Sequence, residues 1–361
     1  MTEIKLSERG IELLNNIQKE NIPSISRGVV CSVSHDGNVL YSNAMGEIPE
    51  LSFKYSKDTI FDMASLTKPL TTATIAMKLL DRGKIGMEDP VTSYMKDDGN
   101  AYLSKFSFRM LLSHSSGLPD AYPLQKNGIT RKDYINTIDA ISKNCEVNKQ
   151  EEYSDLNYIL LGLVLEEIMG ETLDVIAEKE IFKPLGMKNS CFNPNVDRMK
   201  IAPTEITADR GQVWGKVHDE KADGLGGVTG HAGLFSTIED VEKYVKAFMN
   251  FKLFSRKTTT LMTTPANEYL GGTFGLGWMI KGSRSLVSGP SFGYSLFMGD
   301  YSPMGTVGHT GFTGTSLIMD LMNKISVVIL TNRVYPTREN TGILKFRRLF
   351  HNIVFNNLTP E

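Results

Sequence analysis

Between Phe61 and Gly83 the chain reads FDMASLTKPLTTATIAMKLLDRG. Ile75, Leu79 and Leu80 recur at helical spacing and Gly83 stands where a C-terminal stop belongs, so the spacing predicts a helix from Ser65 to Arg82. Ser65 then opens that helix, and Lys68, three residues on, shares its face one turn along. A hydroxyl beside an amine able to move its proton is the minimum of a nucleophile. The helix start adds unpaired N–H groups and a partial positive charge that favour an alkoxide or oxyanion there. A serine opening a helix is also a common N-cap, so this stretch needs support from elsewhere in the chain.

With 361 residues the chain is long for one core, and a prior of roughly 150 residues per domain points to two lobes. Lys plus Arg total 39 against 41 for Asp plus Glu, a net charge of −2, so no global basic field invites nucleic acid. Cys31, Cys145 and Cys191 are odd in number, far apart and without metal-ligand spacing. Neither a disulfide framework nor a metal is expected from them, and they read as small core residues. No cofactor is expected either. Residues 1–20 carry charges throughout, and Ile4, Ile11, Leu14 and Ile17 are spaced like one helix face, without the apolar run of a signal peptide. The expectation is a cytoplasmic protein. The longest apolar stretches, around Tyr158 to Leu165 and Ile325 to Leu330, fall far short of the roughly 20 residues of a membrane span.

Beta-rich runs flank Asp36-Gly37, a hairpin signal. From Gly83 to about Arg210 the pattern is helix and loop, Leu156 to Met169 being the clearest helix. Further strands are expected at Phe274 to Ile280, Thr306 to Gly308, Gly314 to Asp320 and Ile325 to Thr331, and a last helix at Gly342 to Phe355. Strands at both ends and helices between them predict an α+β fold: an antiparallel sheet built from both chain ends and flanked by helices, with an inserted all-helical subdomain. The expected division is an α/β lobe from 1–84 and 211–361, a mainly helical lobe from 85–210, and an active-site cleft between them. Ala202 to Gly233 reads as a long glycine-rich loop, and Gly282 to Gly299 as a second.

Two more segments bear on Ser65. Glu152-Tyr153-Ser154-Asp155-Leu156-Asn157 precedes the apolar helix, and Gly308-His309-Thr310-Gly311-Phe312-Thr313-Gly314 lies between two β runs, where small residues let a ligand lie along a strand edge. In combination, Ser65/Lys68, Tyr153-Ser154-Asp155 and His309-Thr310-Gly311 resemble the serine β-lactamase and penicillin-binding protein superfamily, in its class C, DD-peptidase-like branch. That family carries Ser-x-x-Lys, Tyr-x-Asn and a Lys-, His- or Trp-x-Gly triplet in this order. The segments 111–119 and 231–236 also look like family segments, so the resemblance covers roughly residues 5 to 355.

The resemblance implies the β-lactamase/transpeptidase-like fold and acyl transfer through a covalent intermediate. Ser65 is the implied nucleophile, with Lys68 and Tyr153 sharing the proton transfer. The backbone N–H groups of Ser65 and Phe312 are the implied oxyanion hole. Thr310 and Gly311 would line the substrate site, and His309 would either bind a substrate carboxylate or steer the Tyr153 proton. Asp155 stands where relatives carry asparagine, and it would either face the substrate, disfavouring β-lactams and D-Ala-D-Ala peptides, or cap the following helix. His218 and Asp219 read equally as a solvated charge run or as substrate recognition at the cleft mouth. His114 reads as a loop-anchoring hydrogen bonder and His351 as a surface residue.

Gly226-Gly227-Val228-Thr229-Gly230-His231-Ala232-Gly233 looks like relatives that are cell-wall amidases, including those cutting the bond between N-acetylmuramic acid and L-alanine. The expected activity is therefore a serine amidase or peptidase acting on muropeptide-like small substrates, with neither nucleic acid nor membrane as partner. A carboxylesterase, or a β-lactamase or DD-carboxypeptidase on the same scaffold, is the alternative. From another class, a non-hydrolysing penicillin-binding or sensor protein is a further one.

Overall fold

The computed structural model describes residues 4–22, 24–96, 99–120, 122–282 and 295–360. Its centre is an antiparallel seven-stranded sheet. In chain order the strands are β1 (Gly28–His35), β2 (Asn38–Ile48), β3 (Phe53–Lys54), β4 (Met279–Ile280), β5 (Val307–Thr310), β6 (Ser316–Asp320) and β7 (Ile325–Thr331). Across the sheet they run β4-β5-β6-β7-β1-β2-β3, so β7 from one end of the chain pairs with β1 from the other, Ile329 opposite Cys31. The sheet built from both chain ends is the expected α+β arrangement. The β1-β2 turn has Asp36 at φ 49 and Gly37 at φ 75, the two positive values a tight two-residue hairpin demands.

Side chains alternate across the central strands and find apolar partners on both faces. Val29, Cys31, Val33, Val327 and Ile329 pack with Leu14 and Ile17 of the first helix, α1 (Glu8–Asn21), and with Phe346, Phe350 and Val354 of the last, Ile343–Asn356. Val30, Val328 and Leu330 face the other way, into the large core that holds Val241, Val245 and Phe248 of the helix Ile238–Met249. β1 and β7 are buried on both faces, and the serines that interrupt β1, Ser32 and Ser34, bond to the Glu242 carboxylate.

The helices between Gly83 and Arg210 pack into that second core. The longest is α2 (Asp155–Met169), buried from Leu156 to Leu165, with Ser154 as its N-cap and Gly170 closing it in the left-handed conformation. A single helix from Ser65 to Arg82 is not what forms. Ala64–Leu66 is a 3₁₀ turn, Lys68–Ala73 is a π-helical segment and only Thr74–Asp81 is α-helical. Pro69 lacks an N–H, and the hydroxyls of Thr71 and Thr74 bond back to Thr67 and Pro69 carbonyls, which suits the wider turn.

Two further expectations change. The strand expected over Phe274 to Ile280 reduces to β4 and a single bridge from Phe274 to Met279. The segment Ala202 to Gly233 is not one open loop, since it contains a small hairpin, Ile206–Thr207 with Gly211–Gln212, and the short helix α3 (Glu220–Gly224). Of the second expected loop, residues 283–294 lie outside the described residues. None of the described helices is long and apolar enough to cross a membrane.

Candidate active site

Ser65 is presented by a strained turn. Ala64 adopts φ 47, a left-handed conformation that costs a non-glycine residue of order 1 kcal/mol or more, and five contacts hold its surroundings there. Asp62 Oδ1 accepts from the Ala64 N–H at 2.8 Å and Asp62 Oδ2 from the His218 N–H at 2.7 Å. The Met63 N–H donates to the Leu234 carbonyl at 2.8 Å, and the hydroxyls of Thr313 and Thr315 donate to the carbonyls of Asp62 and Met63. The Ser65 segment is thus bonded to the residues following β5 and to the glycine-rich loop. Gly311 makes the first of these approaches possible, because a Cβ there would lie 2.5 Å from the Met63 carbonyl oxygen. Gly230 does the same for the loop, where a Cβ would overlap the carbonyl of Tyr158 on α2.

The Lys68 side chain is fully buried. Its Nζ lies 3.0 Å from Ser65 Oγ, 2.8 Å from Asp155 Oδ1 and 3.2 Å from the His231 carbonyl oxygen. A neutral amine in that position gives its two N–H bonds to Asp155 and His231 and turns its lone pair to the Ser65 hydroxyl. Burial drives the Lys68 constant below its ordinary value, against the opposing pull of Asp155. The Tyr153 ring stands with its centroid 5.0 Å from the same nitrogen. That ring packs on His114, 4.6 Å between centroids, and 6.0 Å from both Phe274 and His309. His114 is the expected anchor: it is buried, and its Nδ1 accepts from the Ser154 N–H at 3.1 Å.

Asp155 does not cap α2, because the Ser154 hydroxyl accepts the Leu156 N–H instead. Nor are its oxygens turned to a substrate. Oδ1 goes to Lys68 and Oδ2 to Lys221 Nζ, 2.9 Å away. Burial would raise the Asp155 constant, yet the charges of Lys68, His231 and Lys221 carry it far below the usual carboxylate range. Asp219 caps α3 through the Ala222 N–H and binds His231 Nε2 at 2.8 Å, so it belongs to the same cluster rather than to a solvated run. Asp155, Asp219 and His231 converge with ligand atoms within 4.8 Å of one another, and the Lys221 ammonium supplies the cation for both carboxylates.

His309, on β5, is buried and neutral. Its Nδ1 donates to the Thr310 carbonyl at 2.8 Å, and burial, then the charge of Lys68, pushes its constant down to about 3. It therefore has no charge to offer a substrate carboxylate. His218 is buried too, with Nε2 2.9 Å from Glu205 and its ring stacked on Phe312 at 5.7 Å.

A cavity of about 240 Å³ opens from Ser65 along this strand edge, lined by Tyr153, Thr310, Gly311, Phe312, Arg333 and Arg347 among others. The backbone N–H groups of Ser65 and Phe312 carry no other hydrogen bond among the described residues. The Phe312 ring is 48% exposed, with the Arg333 guanidinium 4.4 Å from its centroid. Arg347 is buried, gives Nη2 to the Gly311 and Thr315 carbonyls, and keeps Nε without a partner among the described residues. Lys221, Asp62 and the two arginines were not singled out by the sequence, although Lys221 follows His218-Asp219 by two residues. His351, expected at the surface, is fully buried with Nδ1 bonded to the Phe297 carbonyl.

Ser-x-x-Lys, Tyr-x-Asp and His-x-Gly thus converge on one cavity, and the Beta-lactamase family model matches residues 22–351. The chain belongs to the Beta-lactamase family. This Beta-lactamase-family chain is 32% identical over 341 residues to an Escherichia coli (strain K12) protein named "Putative D-alanyl-D-alanine carboxypeptidase", covering 82% of this chain and 76% of that one. It is 29% identical over 388 residues to the N-acetylmuramyl-L-alanine amidase of Bacillus subtilis, covering 94% and 86%. Among solved structures, EstCE1, described as a hydrolase with promiscuous acyltransferase activity, superposes with a TM-score of 0.75 at 22% identity, covering 96% and 99%, a likeness of fold.

Proposed function

We propose that this Beta-lactamase-family hydrolase is a serine amidase or peptidase that cleaves cell-wall-derived muropeptides through an acyl-enzyme at Ser65, in a cleft between its sheet and its helical segment. The observation that carries the reading is the environment of Lys68: a fully buried amine with two fixed acceptors and its third direction on Ser65 Oγ. Lys68 takes the Ser65 proton as Oγ bonds to the substrate carbonyl carbon, and the carbonyl π pair moves onto oxygen between the N–H groups of Ser65 and Phe312. Tyr153 gives its hydroxyl proton to the leaving nitrogen as the C–N bond breaks, and the proton held by Lys68 passes to the Tyr153 oxygen, which restores both groups. Water then hydrolyses the ester with the same groups in reverse.

The substrate class rests on two supports. The relatives named above carry names for reactions at peptidoglycan amide bonds, one at D-alanyl-D-alanine and one at the muramyl–L-alanine link. Arg333 and Arg347 line the cavity beside the exposed Phe312 ring, a setting suited to a substrate that carries carboxylate and apolar groups, as stem peptides do. A fluorophosphonate probe should label the protein once, and Ser65→Ala should end labelling. Labelling that persists in that variant removes the mechanism. Muropeptides incubated with the protein and read by mass spectrometry should show cleavage of an amide bond that Ser65→Ala leaves intact.

A further inference from the structure

We infer that Lys221 is a positioning residue of the Ser65 reaction: by holding the second carboxylate oxygen of Asp155 it leaves Lys68 free to work as an uncharged base. The inference rests on the reading of Ser65 as nucleophile and Lys68 as its base.

Lys68 sits in a buried cluster of charged side chains with Asp155, Asp219 and Lys221. Lys68 has to reach Ser65 without its proton, since an ammonium has no lone pair to accept one. A carboxylate 2.8 Å away works against that, because an adjacent anion stabilises the ammonium. Left as a simple pair, Lys68 and Asp155 would form a salt bridge and the base would be silent at neutral pH. Here the second oxygen of Asp155 is bonded to Lys221, whose ammonium is 2.9 Å from Oδ2 and 3.8 Å from Asp219 Oδ2.

Hydrogen bonds hold the Asp219 side of that cluster. The Thr229 hydroxyl donates to the Ala232 carbonyl at 2.9 Å, so toward His231 Nδ1, 2.8 Å away, it accepts. His231 Nε2 faces the Asp219 carboxylate at 2.8 Å, which also only accepts. Asp219 is thus held by His231 as well as by Lys221. Lys221 thus offsets the charge of Asp155, and Asp219 has His231 and Lys221 as partners, before Lys68 is counted. The cluster is complete without a proton on Lys68.

The remaining groups facing Lys68 do not alter that balance. Tyr153 and Tyr158 present rings at 5.0 and 5.9 Å. His114 and His309 are buried, and burial, the largest cause, holds both neutral. Asp120 is farther out, and its carboxyl is raised by burial and by Asp155. Lys221 is the replaceable member of the balance, because it touches neither Ser65 nor the cavity beside it.

The test is the second-order rate of fluorophosphonate labelling at Ser65 between pH 6 and 10, measured on the full chain. Lys221→Gln leaves Asp155 with Lys68 as the nearest cation, so Lys68 holds its proton longer. Its rising limb should move to higher pH by on the order of one unit, a loss of about tenfold well below the limb that vanishes on the alkaline plateau. Lys221→Arg keeps the charge and should keep the wild-type limb. A Lys221→Gln limb that stays in place, with the rate lowered by one factor at every pH, overturns the inference, as does a Lys221→Arg limb displaced like that of Lys221→Gln. If Lys221→Gln does not fold, Asp155→Asn decides. Removing the anion should move the limb to lower pH, and an unmoved or raised limb overturns the inference. Failure of the underlying reading looks different, since labelling then survives Ser65→Ala or never occurs in the wild type.

Discussion

Gly311 lies against Met63 so closely that a Cβ on the glycine would stand 2.5 Å from the Met63 carbonyl oxygen. That contact sets the distance between the strand edge bearing Phe312 and the turn bearing Ser65, and therefore the spacing of the two N–H groups proposed to hold an oxyanion.

Gly311→Ala should separate these segments by enough to relieve the overlap. A displacement near 1 Å in a reacting geometry costs roughly a hundredfold in rate. The expected result is that kcat for amide substrates falls by about that factor while the protein still folds. A Gly311→Ala enzyme with wild-type kcat would mean that Phe312 takes no part in oxyanion binding.

Phe312→Ala separates the backbone of that residue from its ring. The exposed ring stacks on His218 and under Arg333, whereas the N–H remains whatever the side chain. The expectation is a rise in KM for muropeptide substrates of about tenfold, with kcat within about twofold, as for lost uniform binding. Steady-state kinetics on one stem peptide checks this, and a collapse of kcat with unchanged KM is the contrary outcome.

Buried imidazoles make a third expectation, concerning stability against pH. In the unfolded chain a histidine takes up a proton as pH falls through its ordinary 6.5, while burial postpones this in the fold to about 3 for His309 and about 4 for His351. The unfolded state then binds more protons, so the stabilisation is present above pH 6.5 and is lost as pH falls from there toward 4. For His351 the loss between pH 7 and pH 5 is about 2 kcal/mol. His351→Asn can keep the donor to the Phe297 carbonyl without the titration. Urea unfolding at pH 7 and 5 should show a smaller difference for the variant by about that amount, and equal differences would mean that His351 does not titrate on unfolding.

What could be read from the sequence follows from which forces are local. Alternation around Asp36-Gly37 and the runs at 316–331 dictate strands whatever lies beside them, and both sheet faces follow from that period. Ser65, Lys68 and the Gly311 segment are recognisable because their chemistry requires particular residues in a particular order. The partners of those residues are tertiary. Ala64 has no local reason to adopt φ 47, and Asp62, His218, Leu234, Thr313 and Thr315 hold the segment around it. Lys221 and the His231 carbonyl reach Asp155 and Lys68 from a loop more than sixty residues later in the chain. His351 was misjudged for a simpler reason: it lies with Phe346, Arg347, Phe350 and Val354 on the buried face of the last helix, a 3.6-residue period in which polar residues interrupt the apolar ones.

Tyr153→Phe offers the closest look at the proton path. The ring is packed against His114 and Phe274, and phenylalanine keeps that packing while removing only the hydroxyl. General acid–base groups contribute roughly a hundredfold to ten-thousandfold, so amide cleavage should fall by at least about a hundredfold. A p-nitrophenyl ester separates the two halves of the role. Its leaving group departs as an anion and needs no proton, whereas an amide nitrogen does. If Lys68 alone takes the Ser65 proton, the ester rate should fall by less than about tenfold in the same variant while the amide rate collapses. Equal losses on both substrates would assign Tyr153 to removing the Ser65 proton, jointly with Lys68. Rates near wild type on both would assign the ring to packing alone, and the leaving-group proton would have to come from Lys68, the only other proton carrier placed beside Ser65 among the described residues.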